Sequence, residues 1–365
     1  MEITINKLIL DEAIERVARA VDQNPFIPAM KGVLIEVEDN KIAFTGSNGE
    51  ISIKHTIETS MDAKIITPGR ILIEMGIFRN IIKKLDGDLN LKSDDKNLFI
   101  TTEYDKYNLN LYSPQDFPAI NFTIYGETLK IKWDDLKKIV RNVSFAASNN
   151  EMYLILCCVN IAAKNKKLFF KATDRYRYAE EAMDIDSDVE FNVSILAKNL
   201  RDLLSFEFKG EVTLNISEHK IAFEIDNTII QSKVIEQIYQ DVSKIIPKEF
   251  ATHLIIDKKE LNNLLNKASV IITENYNKIR LHIDNEFLTI SSTREEIANA
   301  EVKTKNFKYD GDELKLTINS KYLREAISVF DDQISLLITK DKLRIVVKSD
   351  SNQNNIQLFT PQKGF

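Results

Sequence analysis

Residues 3–17 read Ile3-Thr4-Ile5-Asn6-Lys7-Leu8-Ile9-Leu10-Asp11-Glu12-Ala13-Ile14-Glu15-Arg16-Val17, a strand pattern that runs directly into an amphipathic helix pattern. The same pattern returns at Leu129-Lys130-Ile131-Lys132-Trp133 with Leu136, Val140 and Val143, and at Leu254-Ile255-Ile256-Asp257-Lys258 with Leu261, Leu265 and Ala268. The leading helix leucines stand at positions 10, 136 and 261, so the period is 125 or 126 residues. A period of domain size predicts three copies of one fold.

Each copy contains a second helix pattern built around an arginine, with Arg79, Arg201 and Arg324 at equivalent positions. The neighbouring apolar residues are three or four positions apart, which places them on one helical face. Between the two helices lie runs rich in β-branched and aromatic residues, such as 33–37 and 279–283, that are typical of hairpins. The sequence therefore predicts an α+β fold of three repeated domains, each with two helices on antiparallel sheet, at residues 1–125, 126–250 and 251–365.

The charges are distributed unevenly between the predicted helices and the rest of the chain. The helices are predicted at residues 7–21, 76–85, 133–147, 197–206, 258–272 and 320–330. They contain sixteen lysines or arginines and eight acidic residues, although the whole chain has a formal charge of −6. Six ordinary solvated helix faces are one interpretation. A shared basic surface, which attracts duplex DNA without reading its sequence, is the interpretation that we favour.

Other features of the sequence exclude several classes of protein. No apolar run approaches the roughly 18 to 20 residues that cross a bilayer, and the chain begins with a strand pattern rather than a signal segment. Cys157 and Cys158 are adjacent within a strand pattern, where they cannot form an ordinary disulfide. We therefore expect two structural cysteines and a cytoplasmic location.

Catalytic and cofactor signals are weak. The ten glycines form no phosphate-binding loop, and Gly46-Ser47-Asn48-Gly49 is better interpreted as a turn. The four histidines are isolated, so no metal site, cofactor or catalytic residue is expected. The carboxylate pairs Asp11-Glu12 and Asp134-Asp135 fit first helical turns. An enzyme of nucleotide or sugar metabolism that uses Asp174 with Glu180 or Glu181 is a disfavoured alternative, and a protein-binding scaffold is another.

The stretch Phe169-Phe170-Lys171-Ala172-Thr173-Asp174-Arg175-Tyr176-Arg177-Tyr178-Ala179 resembles the Ala-Thr-Asp-x-x-Arg-Leu-Ala signature of the bacterial β sliding clamp family. Further matches are Pro68-Gly69 followed by residues 78–85, Gln115-Asp116-Phe117-Pro118, and Tyr239-Gln240-Asp241 running to Ile246-Pro247. The resemblance implies a non-catalytic processivity factor whose two three-domain subunits close head to tail into a ring around DNA. The implied partners are duplex DNA, the polymerase catalytic subunit, the clamp loader, other replication and repair proteins, and a second copy of the chain, with no membrane.

The resemblance also implies three sets of site residues. DNA contacts are expected from helix residues facing the hole and from two loops: Asn24, Arg79, Lys83, Lys137, Arg141, Ser148, Asn149, Asn150, Tyr153, Lys198, Arg201, Lys267 and Arg324. A pocket for partner peptides between the second and third domains comprises Leu156, Thr173, Arg175, Tyr176, Arg177, Tyr178, Gln240, Lys244, Ile245, Leu358, Thr360 and Pro361. The dimer interface comprises the strand with Tyr107, Leu109 and Leu111 and the region of Ile271 and Ile272.

Three pocket positions depart from the family pattern. Arg175 stands where a small residue is usual, Tyr178 where leucine is usual, and Gln240 where proline is usual. In the DNA set, Asn24 replaces a typical arginine. The resemblance thus implies where the pocket lies, while its preferred peptide is expected to differ from that of other family members.

Overall fold

A computed structural model of the chain describes residues 1–273 and 277–363. These residues form two compact units, one made of Met1–Asp135 with Lys198–Val234 and the other of Leu136–Ala197 with the residues from Ile235 onwards. No helix in the described residues is both long enough and apolar enough to cross a membrane.

The first repeat alternates strands with two helices. Its elements are β1 (Glu2–Asn6), α1 (Lys7–Ala18), β2 (Gly32–Val37), β3 (Lys41–Ser47), β4 (Ile51–Glu58), β5 (Ala63–Thr67), β6 (Gly69–Glu74), α2 (Met75–Ile82), β7 (Asp88–Ser93), β8 (Asn97–Thr101) and β9 (Lys106–Asn110).

The other two repeats follow the same order, with no counterpart of β5 in the second. The second consists of β10 (Glu127–Lys132), α3 (Trp133–Ser144), β11 (Cys158–Lys164), β12 (Lys167–Thr173), β13 (Arg177–Asp184), β14 (Phe191–Leu196), α4 (Ala197–Leu203), β15 (Glu211–Ile216), β16 (Lys220–Ile225) and β17 (Thr228–Lys233). The third consists of β18 (Thr252–Asp257), α5 (Lys258–Ala268), β19 (Lys278–Ile283), β20 (Leu288–Arg294), β21 (Ala298–Thr304), β22 (Phe307–Asp310), β23 (Leu314–Asn319), α6 (Ser320–Ser328), β24 (Gln333–Ile338), β25 (Ile345–Lys348) and β26 (Asn355–Phe359).

All sheet neighbours are antiparallel in the described chain, and each sheet lies within one unit. The first unit has a five-stranded sheet of order β5-β1-β7-β8-β9 and an eight-stranded sheet of order β10-β15-β16-β17-β4-β3-β2-β6. The second unit has a nine-stranded sheet of order β14-β11-β12-β13-β26-β25-β24-β18-β22 and a four-stranded sheet of order β21-β20-β19-β23.

Two of these strand pairs join successive repeats, and we name them seams. In the first seam β4 pairs with β17, and in the second seam β13 pairs with β26. The paired strands occupy the same places in their repeats, so the two seams are equivalent. His55 stands opposite Thr228 at the ladder position where Glu181 stands opposite Asn355.

The helices form where the sequence predicts them, because each buries an apolar stripe. In α1 the stripe is Leu10, Ala13, Ile14 and Val17, and in α5 it is Leu261, Leu264, Leu265 and Ala268. The strand-to-helix junctions are capped by side chains that bond to backbone amides of the first turn, and Asn6, Asp257 and Asn319 all do so.

The helices end two to four residues earlier than the apolar pattern. Each helix is extended by a final turn in which a backbone amide donates to the carbonyl three residues earlier, and this turn contains the remaining residues of the apolar pattern. Examples are the amide of Ala20 on the carbonyl of Val17 at 3.1 Å and the amide of Ala147 on that of Ser144 at 3.3 Å.

Two sequence interpretations were wrong. Because α1 begins at Lys7, Asp11 and Glu12 lie in its second turn and not in the first turn, where they would stabilise the helix dipole. Asp11 instead pairs with Lys7, and Glu12 pairs with Arg16. Only Cys158 belongs to a strand, since Cys157 ends a 3₁₀ turn that precedes β11. Both thiols are free and buried, and burial raises the pKa of Cys158 to about 12.

Candidate nucleic-acid face and peptide pocket

The signature residues form the turn between β12 and β13. The Asp174 carboxylate accepts from the amides of Tyr176 at 2.9 Å and Arg177 at 3.0 Å. The Thr173 hydroxyl donates to the Arg177 carbonyl at 2.6 Å and accepts from the Arg175 amide at 3.1 Å. Arg175 takes a left-handed conformation with φ of 81°. Glycine adopts this conformation most easily, which explains why a small residue is usual at that position.

Arg177 ties this turn to α6. Its guanidinium donates to Asp174 at 2.9 Å and to Glu325, and it lies 4.7 Å from the centre of the Tyr322 ring. The side chain is 10% exposed. A guanidinium that binds two carboxylates and one aromatic face has little rotational freedom, so Arg177 fixes the turn in position.

A buried apolar cluster, which we call the floor, lies on the second seam next to the signature turn and has polar groups along one side. Tyr178 stands opposite Leu358 across the second seam, and both are buried in a cluster with Val346, against which Val242 and Ile246 pack. The Tyr178 hydroxyl donates to Glu180, and burial raises the pKa of Tyr178. The polar residue thus replaces leucine without leaving its hydroxyl unpaired.

Lys171 and Tyr239 complete the polar edge of this floor. Lys171 lies 3.8 Å from Glu180 and 3.3 Å from Asp241, so it joins β12 to the segment that leads into the third repeat. The Tyr239 hydroxyl is buried and has no hydrogen-bond partner among the described residues. The predicted set of pocket residues omitted Lys171, Val242 and Ile246, although the quoted signature stretch contains Lys171 and the quoted segment 239–247 contains the other two.

The remaining predicted pocket residues lie in the same unit. Leu156 is partly exposed in the 3₁₀ turn before β11, and Thr360 extends the second seam by donating its amide to the Tyr176 carbonyl at 2.9 Å. Ile245 is 38% exposed and Tyr176 is 57% exposed. Gln240 and Lys244 are exposed, and Pro361 is partly exposed. Of the predicted pocket residues outside the buried floor, Ile245 and Tyr176 thus present apolar or aromatic surface to solvent.

The predicted DNA loop adjoins the signature turn. The Arg175 guanidinium lies 4.5 Å from the centre of the Tyr153 ring, a cation–π contact. The Ser148 amide donates to the Leu156 carbonyl at 2.8 Å, and Asn149 and Asn150 are exposed. In the other predicted loop Asn24 is exposed. The structure therefore brings a predicted DNA residue and a predicted pocket residue into direct contact.

Arg79 and Arg324 each brace the helix pair of their own repeat. Arg79 of α2 donates to both carboxylate oxygens of Glu15 in α1, at 2.5 and 2.6 Å, and Lys83 lies 2.9 Å from the same carboxylate. The hydrogen bond from Arg79 is the main reason why the pKa of Glu15 falls to about 2. Arg324 of α6 donates to Asn266 at 2.7 Å and Ser269 at 3.0 Å, and burial lowers its pKa.

The other basic residues differ in exposure. Lys198 and Arg201 are exposed in the first unit, and Arg141 and Lys267 are exposed in the second. Lys137 is partly buried. Glu15 therefore neutralises part of the charge that Arg79 and Lys83 carry at the C-terminal end of α2.

The predicted dimer residues lie on the edge strand β9, directly after it, and after α5. Tyr107 is 36% exposed on β9, while Leu109 is buried. Leu111 is not part of the strand as predicted, since β9 ends at Asn110, although its amide still donates to the Lys96 carbonyl at 2.8 Å. Ile271 and Ile272 are partly buried just after α5.

The first repeat contains a second copy of the signature turn, which the sequence analysis missed. Ser47 bonds to Ile51 and Gly49 at 3.0 and 3.1 Å, as Thr173 does to Arg177 and Arg175, and Asn48 takes the place of Asp174. Gly49 has φ of 90°, close to that of Arg175. The repeat offset of 126 residues could have revealed this second turn, because it aligns Gly46-Ser47-Asn48-Gly49 with Ala172-Thr173-Asp174-Arg175.

The carboxylates of the alternative enzyme hypothesis serve structure instead. Glu181 is buried, and its oxygens accept from the side-chain amides of Asn142 at 2.8 Å, Asn352 at 3.1 Å and Asn355 at 2.6 Å. Glu180 bonds to Tyr178, and Asp174 is held by the turn and by Arg177. All three carboxylates are thus engaged in hydrogen bonds that hold the fold together.

Comparison with known proteins gives one consistent result. Residues 1–121, 130–241 and 243–363 match the family models for the N-terminal, central and C-terminal domains of the DNA polymerase III beta subunit. A beta sliding clamp from Mycoplasmopsis pulmonis is 32% identical over 98% of this chain and 100% of its own. The chain matches a crystal structure of the DNA polymerase sliding clamp from Bacillus subtilis with a TM-score of 0.94 at 26% identity. It matches a crystal structure of the beta subunit from DNA polymerase of Streptococcus pyogenes with a TM-score of 0.92 at 25% identity. Both matches cover 100% of this chain and 100% of the other chain.

Proposed function

Since the chain belongs to the DNA polymerase III beta subunit family of bacterial sliding clamps, we propose that it closes around duplex DNA as a homodimeric ring and tethers the polymerase. The resemblance carried by the signature and the three-domain clamp fold are confirmed. The protein is a non-catalytic processivity factor, and we place its domain boundaries near residues 125 and 250 and its site of action in the cytoplasm.

One observation supports ring closure above all others. The seams pair β4 with β17 and β13 with β26, and the third pair of equivalent strands, β21 and β9, is left unjoined within the described chain. Joining β9 of one copy to β21 of another would combine the five-stranded and four-stranded sheets. The resulting nine-stranded sheet would have the same order of equivalent strands as the sheet that contains the second seam. Such a head-to-tail contact, made twice, closes a dimer.

The exposed basic residues support a sequence-independent DNA surface. Arg141, Lys198, Arg201 and Lys267 are exposed members of the predicted set that lie within helices, and Lys83 is exposed just after α2, where it pairs with Glu15. Contacts with phosphate release counterions and read no bases, so many weak contacts allow sliding while topology prevents escape. The loop residues Asn24, Ser148, Asn149, Asn150 and Tyr153 are proposed to add contacts to the duplex.

The floor of Tyr178, Leu358 and Val346 supports a pocket for partner peptides of the polymerase, the clamp loader and repair proteins. The exposed side chain of Ile245 and the partly exposed one of Leu156 supply apolar anchoring surface beside it. Tyr178 and Arg175 reshape this groove, so its preferred peptide is proposed to differ from that of the relatives.

Retention on closed DNA tests the ring. After loading by the clamp loader onto nicked circular DNA, we expect the protein to stay bound through gel filtration and to be lost once the circle is linearised. Equal retention on both forms would contradict encirclement and favour ordinary DNA binding.

A single edge substitution tests the subunit contact. Because the Leu111 amide bonds towards β8, alternation along the strand directs the Asn108 amide to the open edge. Asn108→Pro removes that donor, so we expect the dimer dissociation constant in sedimentation to rise by at least about tenfold. An unchanged constant would place the interface elsewhere.

A further inference from the structure

The first unit contains a cavity of 290 Å³ at the first seam. Its walls include Met30, Ser52, Ile120, Lys220 and Gln231. A volume close to 300 Å³ is at the small end of ligand sites and suits two or three side chains. None of these residues belongs to the DNA, peptide or dimer sets described above.

The wall corresponds residue by residue to the peptide pocket of the second unit. The repeat offset of 126 residues aligns Met30 with Leu156 and Ser52 with Tyr178. The paired seams align Gln231 with Leu358, since Gln231 is the ladder partner of Ser52 and Leu358 is that of Tyr178.

The segment that closes the cavity corresponds as well. Gln115-Asp116 and Gln240-Asp241 align the two linkers, so Ile120 of the cavity occupies the place of Ile245. The fold has thus built the same recess twice, at successive seams.

The chemistry of the two recesses differs at their floors. In the first seam the Lys220 ammonium donates to the Asn121 carbonyl at 2.8 Å and to the Gln231 side-chain oxygen at 2.9 Å. No carboxylate pairs with Lys220 among the described residues, and burial lowers its pKa. An ammonium carries three donors, and these two bonds use two of them.

We propose that this cavity is a second peptide-binding site, which takes a short segment of a protein partner with an acidic side chain between apolar ones. The carboxylate would receive the third Lys220 donor, while Met30 and Ile120 would contact the flanking apolar groups. The proposal rests on the equivalence with the peptide pocket proposed above. It adds a site with a different preference, because Gln231 takes the place of Leu358 and the Lys220 ammonium lies in the wall beside it.

The test compares two probes, acetyl-Leu-Glu-Leu-amide and acetyl-Leu-Gln-Leu-amide, by calorimetric titration into the full-length protein. The titrations use a Leu156→Ala/Ile245→Ala background, which weakens the pocket of the second unit. We expect the glutamate peptide to bind about tenfold more tightly than the glutamine peptide, because a hydrogen bond to a charged group is worth roughly this ratio. Lys220→Gln should make the two affinities equal.

A second variant distinguishes a specific loss of peptide binding from a loss caused by misfolding. Ala119 is exposed at the cavity, so Ala119→Trp should block entry while leaving thermal unfolding unchanged. Loss of glutamate-peptide binding in this variant supports the site. A tenfold preference that survives Lys220→Gln, or binding that survives Ala119→Trp, would overturn it. Unaltered binding of a polymerase peptide to the Leu156→Ala/Ile245→Ala protein would instead refute the pocket of the second unit and leave the result for the first seam intact.

Discussion

The two seams share one backbone and differ in the charge that they bury. At the same ladder position the first seam pairs His55 with Thr228, whose side chains lie 2.8 Å apart, and the second pairs Glu181 with Asn355 at 2.6 Å. Burial, and then the nearby Arg16, lowers the pKa of His55 to about 4, so its imidazole is neutral near pH 7. Glu181 instead accepts bonds from three side-chain amides, and no ion pair reaches it among the described residues.

This difference shows which features the repeat preserves. The ladder, the signature turn and its left-handed residue recur because backbone bonds define them. The buried polar pair recurs in position but not in chemistry, because any donor and acceptor that satisfy each other are tolerated inside a sheet. Side-chain chemistry could therefore diverge, placing Tyr178 opposite Leu358 in the second seam and Ser52 opposite Gln231 at the equivalent position of the first.

The largest expected effect comes from breaking the pair formed by the Glu181 carboxylate and the Asn355 side-chain amide. Asn355→Leu removes the shortest bond to Glu181 and leaves its carboxylate buried with two amide donors. Because hydrogen bonds to charged groups contribute about 1.5–3 kcal/mol, we expect the free energy of unfolding of the second unit to fall by about 2–3 kcal/mol. Urea unfolding followed by far-UV circular dichroism measures it.

The matched control at the equivalent position is Thr228→Val, which removes the neutral bond with His55 and a partly buried one from the Arg16 guanidinium at 3.1 Å, and should cost about 1–2 kcal/mol. Trp133, the one tryptophan of the chain, is buried against Phe223 and Phe208 in the first unit, so its emission reports on that unit. Equal losses for the two variants would mean that the seams do not differ in the way described.

The next largest effect is expected from a decrease in pH, which should lower the free energy of unfolding of the first unit through His55. Between pH 6.5 and 4 the unfolded chain protonates His55 while the folded chain does not, so the free energy of unfolding falls as the pH decreases through this window. From pH 7 to pH 5 we expect a loss of about 2 kcal/mol from this group, read by Trp133 emission. His55→Gln should remove that part of the pH dependence, and an unchanged profile would show that His55 titrates normally.

Much of this comparison could be predicted from the sequence, and the rest depends on long-range pairing. Apolar periodicity located six helices and the triplication, because both depend on residues close in the chain. The His55–Thr228 and Glu181–Asn355 pairs join residues more than 170 positions apart, and nothing local marks them. The bracing of Arg79 by Glu15 was missed for the same reason, since charge counts do not reveal which carboxylate folds back onto a helix.

Tyr178 and Tyr239, both buried in the second unit, provide a smaller test. Tyr178→Phe removes a hydroxyl that donates to the Glu180 carboxylate, and we expect a loss of about 1.5 kcal/mol in the free energy of unfolding, the low end for a bond to a charged group. Tyr239→Phe removes a buried hydroxyl without a partner in the described chain, so it should be neutral or slightly stabilising. Denaturation midpoints of the two variants decide the point, and a larger loss from Tyr239→Phe would reveal a bond that the geometry does not contain.

The smallest effect is expected at the left-handed residue, where the two turns carry Gly49 and Arg175. Arg175→Gly relieves a conformational cost of about 1 kcal/mol but also removes the contact with Tyr153, worth about 0.5–1 kcal/mol, so the net change should be near zero. The two contributions can be separated in a Tyr153→Ala background, where Arg175→Gly should stabilise by about 1 kcal/mol because only the strain remains to be lost. Gly49→Ala in the equivalent turn should destabilise by a similar amount, since its φ of 90° suits glycine and no compensating contact is gained. If Arg175→Gly proves equally neutral in both backgrounds, the stacking on Tyr153 contributes nothing, and the arginine is held at this position by something other than the loop that is proposed to contact DNA.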